Sequence, residues 1–222
     1  MTESSTARAQ ILARIAASLG RELPAASDPA AYAAIPRDYR SPAHSSDAHA
    51  VVDRFAQRLA EYGAGFAHLP HQAALPAAIA AALGARGKSA LAVVSGIPSE
   101  WLPSGFDFPL ADPLTAVELD RIPGILTACS VAIAESGSLV LQSGPRQGLR
   151  RHTLVPDYHL CIVLESQLVA TVPQAFDRLH PELPTTFISG PSATADIEMT
   201  RIQGVHGPRT LDVLLVADRP LA

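Results

Sequence analysis

The chain has 222 residues, 48% of them hydrophobic, with 17 Lys and Arg against 21 Asp and Glu for a formal net charge of −4. That length suffices for one sizeable α/β core. The basic residues are scattered, which argues against a nucleic-acid partner, because neutralising phosphates needs a concentrated basic surface. No apolar run approaches the roughly 20 residues of a membrane span, and the start MTESSTARAQILARIAASLG lacks the continuous apolar region of a signal peptide. A cytoplasmic protein is expected.

In chain order, residues 4–19 place Ile11, Leu12, Ile15 and Leu19 at helical spacing, with Gly20 as the stop. Residues 21–46 are rich in Ala, Pro and Ser and show no period, so residues 1–46 read as a helix plus an extended arm. The domain proper is expected over 47–222. It opens with a helix from Asp47 to Gly63 that carries Val51, Val52, Phe55 and Leu59 on one face. There follow a strand GFAHL, an Ala-rich helix over 72–83, a buried strand SALAVV over 89–94 and a helix near 114–121. Strand signals then come at 124–135, 136–143, 159–165, 186–190 and 210–216, with 167–179 helical apart from Pro173. Alternating strands and helices predict a mainly parallel sheet with flanking helices, and such sheets bind ligands at the carboxyl ends of their strands.

Three polar stretches interrupt this pattern. In AIAESGSLVL, Glu135 leaves an apolar strand and could act as nucleophile or base, while Ser136, Gly137 and Ser138 form a turn whose amides could cradle an anion. Equally, Glu135 could cap that turn. In SGPRQGLRRHTLVPDYH, Arg146, Arg150 and Arg151 suit a carboxylate or phosphate, and Asp157 and His159 could serve as acid or base. A solvated surface loop is the alternative. In SGPSATADIE, residues Ser192 to Thr194 read as a helix start with free N–H groups, and eight residues beyond it lies GVHGPR with His206 and Arg209. Asp196 and Glu198 would sit in the first turn of that helix and hold the loops. All of these turns are expected to converge on one cleft at the carboxyl ends of the strands, with Glu135 and His206 facing the reactive end of a small anion held by Arg209 and backbone amides.

His152, Asp157, His159 and His206 have no recognised metal spacing, so no metal is expected. No Rossmann fingerprint is present. Cys129 and Cys161 lie in apolar runs and read as small buried thiols, too few to hold an iron–sulfur cluster.

The stretches AIAESGSLVLQSGPRQGLRRHTLVPDYHLCIV, SGPSATADIE and GVHGPRTLDVLLV closely resemble the LUD-domain family, and within it the lactate utilisation protein C branch. The resemblance covers residues 122 to 216. It implies a fold similar to the NagB/RpiA/CoA-transferase-like group and a role beside iron–sulfur and cysteine-rich lactate-utilisation proteins that oxidise L-lactate to pyruvate, the clusters residing in a partner. One departure is visible: the family's glycine-rich GPGQG is here Gly144-Pro145-Arg146-Gln147-Gly148. Two other readings stand beside that role. One is an independent CoA-transferase-like or cyclo-ligase-like enzyme with Glu135 as nucleophile; the other is a binding module that senses a carboxylate.

Overall fold

The computed structural model describes residues 3–20, 29–36, 47–194, 202–203 and 206–218. The chain divides into two compact units, 1–42 and 43–222. In the first, helix α1 (Glu3–Leu19) ends at Gly20, whose φ of 62° takes the chain out of the helix. The expected structureless arm contains a short helix, α2 (Pro29–Ala33), which begins on the residue best tolerated in a first turn.

The second unit opens with helix α3 (Ala48–Glu61). Asp47 caps it by accepting a hydrogen bond from the His49 N–H at 3.0 Å. Its spacing of Val51, Val52, Phe55 and Leu59 does what a 3.6-residue period requires: Phe55 and Leu59 are fully buried and the two valines pack beside them. Each fully buried Phe or Leu contributes about 1.5–3 kcal/mol.

Five parallel strands form the central sheet, in the order β1 (Gly65–Leu69), β11 (Thr210–Val216), β6 (Tyr158–Leu164), β3 (Ile125–Ala128) and β2 (Ala92–Val93). Alternation along β6 assigns its two faces. Cys161 and Val163 join the cluster around Phe55 and Leu59 of α3, while Tyr158, Leu160 and Ile162 join the one around Leu75, Ile79 and Leu83 of helix α4 (Leu75–Ala85). Burial on both faces explains why β6 reads as an almost unbroken apolar run.

A second sheet was not legible in the sequence. Its order is β7 (Leu168–Val169), β4 (Val131–Ile133), β5 (Ser138–Gln142) and β8 (Thr185–Ile188), and only the β4–β7 pair is parallel. The single strand region expected over 124–135 is therefore two strands in different sheets. Cys129 and Ser130 lie between them, and an apolar run gives no period by which to see the break. The 167–179 segment is likewise corrected: Leu168–Val169 is strand, and only α6 (Val172–Phe176) is helical, with Pro173 in its first turn where a missing N–H costs nothing. The helix start expected at Ser192–Thr194 is instead strand β9 (Ala193–Thr194), paired antiparallel with β10 (Ile202–Gln203). The 114–121 helix is α5 (Ala116–Asp120), closed by a reciprocal capping box between Thr115 and Glu118. Among the described residues, no helix is long and apolar enough to cross a membrane.

Candidate functional site

Strand register builds the first feature. Ala92 pairs with Ile125 and Val93 with Leu126, so continuing the ladder would bring Ser95 opposite Ala128. They do not pair. Arg146 is wedged between them: its N–H donates to the Ser95 carbonyl at 2.6 Å, and its carbonyl accepts from the Ala128 N–H at 2.7 Å. The strands thus part at their carboxyl ends, where open α/β sheets bind ligands, and the Gly144–Gly148 turn fills the fork.

The turn is held from every side. Gly148 N–H donates to the Gly144 carbonyl at 2.9 Å. Gln147 Oε1 accepts from the Ser130 hydroxyl and the Gln142 N–H, both at 2.7 Å, tying the turn to the second sheet. Arg146 has φ 66° and is the one non-glycine residue with positive φ among those described. That left-handed geometry costs an L-residue about 1–2 kcal/mol, and it is where the resemblance leads one to expect glycine.

Arg150 and Arg151 follow. The Arg151 Nη2 donates to the Asp112 carbonyl at 2.7 Å, and Arg150 Nη1 to the Thr153 hydroxyl at 3.4 Å. The Asp112 carboxylate accepts from the Ser95 N–H at 2.8 Å and the Ser95 hydroxyl at 3.1 Å. Among the described residues, no carboxylate lies within ion-pair distance of Arg146, Arg150 or Arg151. His152 is fully buried beneath the turn; its Nδ1 accepts from the Leu149 N–H at 3.1 Å, while Nε2 has no partner among the described residues. Burial, reinforced by Arg151 and opposed by Asp112, lowers its pKa and keeps the ring neutral.

The second feature stands at the other end of the sheet. Arg209 precedes β11 and Asp157 precedes β6, so both lie at the amino ends of parallel strands. Arg209 Nε donates to Asp157 Oδ1 at 2.5 Å. That bond is the main cause lowering the Asp157 pKa. The Ser192 N–H donates to the Pro208 carbonyl at 2.8 Å, and the His206 N–H to the Ser192 hydroxyl at 3.2 Å, leaving the His206 residue exposed. Behind this loop, Asp212 accepts two hydrogen bonds from Arg86, at 2.6 and 3.0 Å, and one from the Tyr158 hydroxyl at 2.9 Å. Burial, then Asp212, raises the Tyr158 pKa, so the phenol stays protonated.

Other expected site residues fall elsewhere. Glu135 Oε1 accepts from the Val172 N–H at 2.7 Å, which caps α6, and its carbonyl accepts from Arg58 Nε at 3.0 Å. Ser138 is buried, with its hydroxyl bonded to Ser136 at 2.9 Å and to Ser189 at 2.7 Å. Gly137 sits against α3, where a Cβ would come within 2.6 Å of Arg58 Cβ. His159 is 1% exposed inside the sheet, where its Nε2 shares a 2.8 Å hydrogen bond with Thr127. Thr194 lies in β9, and Asp196 and Glu198 fall outside the described residues. The structure thus brings Ser192, His206 and Arg209 into one loop pair at the amino ends and sets the Arg146 turn at the carboxyl ends. Arg209 therefore lies at the amino ends rather than the carboxyl ends expected for it, although the two loops are neighbours: a Cβ on Gly207 would lie 3.7 Å from the Thr153 carbonyl, and Arg150 donates to the Thr153 hydroxyl.

Sequence reasoning did not find the Arg86–Asp212–Tyr158 network, since its members are 126 and 54 residues apart. Nor did it link Ser95 and Asp112 to the turn. Cys129 and Cys161 are buried and free, as their apolar flanks suggested. Among the described residues, no group of three or more His, Cys, Asp or Glu is arranged to hold a metal ion.

Comparison with known proteins bears on this arrangement. Residues 112–216 match the LUD domain, a span that runs from Asp112 through the turn to the end of β11. The chain is 43% identical over 184 residues to lactate utilization protein C of Deinococcus radiodurans, covering 80% of this chain and 84% of that protein. The chain belongs to the LUD-domain family. A second relative of this LUD-domain protein, lactate utilization protein C of Halalkalibacterium halodurans, is 41% identical over 102 residues, 42% of this chain and 44% of that one. The fold of the LUD-domain chain also matches the crystal structure of a DUF162 family protein from Deinococcus radiodurans, with a TM-score of 0.65 and 37% identity, over 77% of this chain and 98% of that one.

Proposed function

We propose that this LUD-domain protein is a subunit or accessory protein of a cytoplasmic, iron–sulfur-dependent system that oxidises L-lactate to pyruvate, and that it binds a small anionic ligand. The observation that carries this reading is the 43% identity to a lactate utilization protein C across 84% of that relative's length. Both lactate and pyruvate are small carboxylates, the class that a guanidinium fork recognises through paired hydrogen bonds. Cysteine-rich and iron–sulfur proteins are the partners that would carry the electrons, because Cys129 and Cys161 are too few to ligate a cluster and both are buried in the apolar core.

Glu135 is not given a chemical role in this reading, since one carboxylate oxygen already serves the α6 N-terminus. Catalysis by the isolated chain is therefore not expected. The test uses the purified protein with L-lactate and an artificial electron acceptor, alone and reconstituted with the proteins encoded beside it. Acceptor reduction only in the reconstituted mixture, together with loss of lactate-dependent growth when the gene is deleted, is the expected result. Normal growth on lactate without the gene would overturn the reading.

A further inference from the structure

Arg146 poses a physical question. It occupies the one left-handed non-glycine position among the described residues, its backbone is clamped between Ser95 and Ala128, and glycine would adopt the same geometry without strain. Its side chain is exposed and, among the described residues, has no carboxylate within ion-pair distance; a Cβ on Gly96 would lie 3.3 Å from Arg146 Cγ. Strain that is kept without a compensating ion pair points toward use.

Three further observations bear on what that use is. Arg150 and Arg151 follow within five residues, and among the described residues neither has a carboxylate within ion-pair distance, Arg151 donating instead to the Asp112 carbonyl, so the turn gathers three guanidinium groups. Beneath it, the fully buried His152 Nε2 and the Arg151 Nε have no partner among the described residues, and buried polar atoms are ordinarily satisfied. The turn also fills the fork between two parted parallel strands, at their carboxyl ends.

We propose that Arg146 is the anion-recognition residue of this protein, held in a left-handed conformation so that its guanidinium stands at the mouth of the β2/β3 fork, where with Arg150 and Arg151 it binds a small oxyanion, carboxylate or phosphate. This deepens the functional reading above and rests on it for the choice of carboxylates. A clamped backbone fixes where the side chain begins, so less freedom is lost on binding than for an arginine on a loose loop. Glycine at this position would relieve the strain and remove the ligand's partner together. Arg146 therefore exchanges stability for binding, a pattern expected of functional sites.

The experiment compares R146G, R146A and R146K in the full chain. Isothermal titration with L-lactate, pyruvate and inorganic phosphate in separate arms reads affinity, and thermal unfolding reads strain. Wild type is expected to bind at least one of the three anions, with R146G and R146A about tenfold or more weaker, the loss of one charge-assisted contact. R146K should fall between, keeping the charge without the fork. R146G is expected to melt about 2–4 °C above R146A, because both lack the guanidinium but only alanine keeps the strained φ. Unchanged affinity in R146G and R146A, or no binding of any of the three anions by wild type at millimolar concentration, would overturn the proposal. Lactate growth separates the two ideas. A gene deletion that grows normally on lactate removes the pathway reading, whereas a growth defect rescued fully by R146G removes the assignment of Arg146 alone.

Discussion

Two groups of arginines around the parallel sheet differ in how their charge is met. Two of them are answered by carboxylates: Arg209 by Asp157, and Arg86 by an Asp212 that also accepts from Tyr158. Around the 144–153 turn, no carboxylate among the described residues lies within ion-pair distance of Arg146, Arg150 or Arg151; the Asp112 carboxylate accepts from Ser95, and its carbonyl accepts from Arg151. A basic residue whose charge is answered within the chain is part of the architecture. One whose charge is left unanswered, on a rigid backbone, is available to a ligand. The same lesson applies to carboxylates, since Glu135, with the more suggestive sequence context, is the one committed to a helix cap.

Substitutions should divide along this line. The largest loss is expected in the carboxylate-paired group, in Asp212→Ala. It leaves the buried Tyr158 hydroxyl and the half-exposed Arg86 guanidinium without their acceptor, and urea denaturation should register about 2–4 kcal/mol. Anion affinity should not change; a loss of affinity would erase the contrast between the two groups.

Gly148→Ala should come next. The new Cβ would lie 2.5 Å from His152 Nδ1 and 2.6 Å from Val94 Cγ1, on a residue with φ 70°, so about 2 kcal/mol of destabilisation is expected from overpacking. Here affinity should fall too, because the turn itself must shift. Full affinity with the expected destabilisation would show that the turn's shape does not matter for binding.

His152 supplies a pH effect under the carboxyl-end turn. Its pKa is depressed in the folded protein, chiefly by burial, so as pH falls through the unfolded value near 6.5 the unfolded chain takes up a proton that the folded one refuses. Stability should therefore be complete above that pH and decline below it, until the folded-state pKa is passed. His152→Asn, which keeps an acceptor for the Leu149 N–H, should flatten part of the decline between pH 7 and pH 5 in denaturation midpoints. An equally steep decline in the variant would place the titration elsewhere.

The smallest effect is expected for Arg209→Ala. Its ion pair with Asp157 is exposed at both ends and screened by solvent, so the shift in denaturation midpoint should be the smallest of these four variants and vanish in high salt. Unchanged anion binding in this variant, set against the loss in Arg146 variants, would sharpen the comparison further.

What the sequence disclosed follows from which signals are local. The face of α3 and its Asp47 cap were legible because helical period and capping chemistry act within a few residues. The division between β3 and β4 was hidden because Ile125 through Ala134 are apolar almost throughout, and both strands are buried. Ser192–Thr194 misled because a serine after a Gly-Pro turn suits a helix cap or a strand entry alike, and the pairing with Ile202–Gln203 decides between them. For the candidate site, residue identity was readable but its state was not. Arg146 and Arg209 look equivalent in sequence, and only strand polarity and the position of Asp157 separate them. His159 looked like an acid–base candidate, yet its place on a doubly covered strand makes it a core histidine bonded to Thr127.

The central claim concerns which end of the sheet receives the anion, and a crystal structure of the full chain soaked with pyruvate addresses it directly. The bound carboxylate is expected within hydrogen-bond distance of the Arg146 guanidinium, at the fork between Ser95 and Ala128. Pyruvate bound instead beside His206 and Arg209, with the Arg146 turn empty, would contradict it.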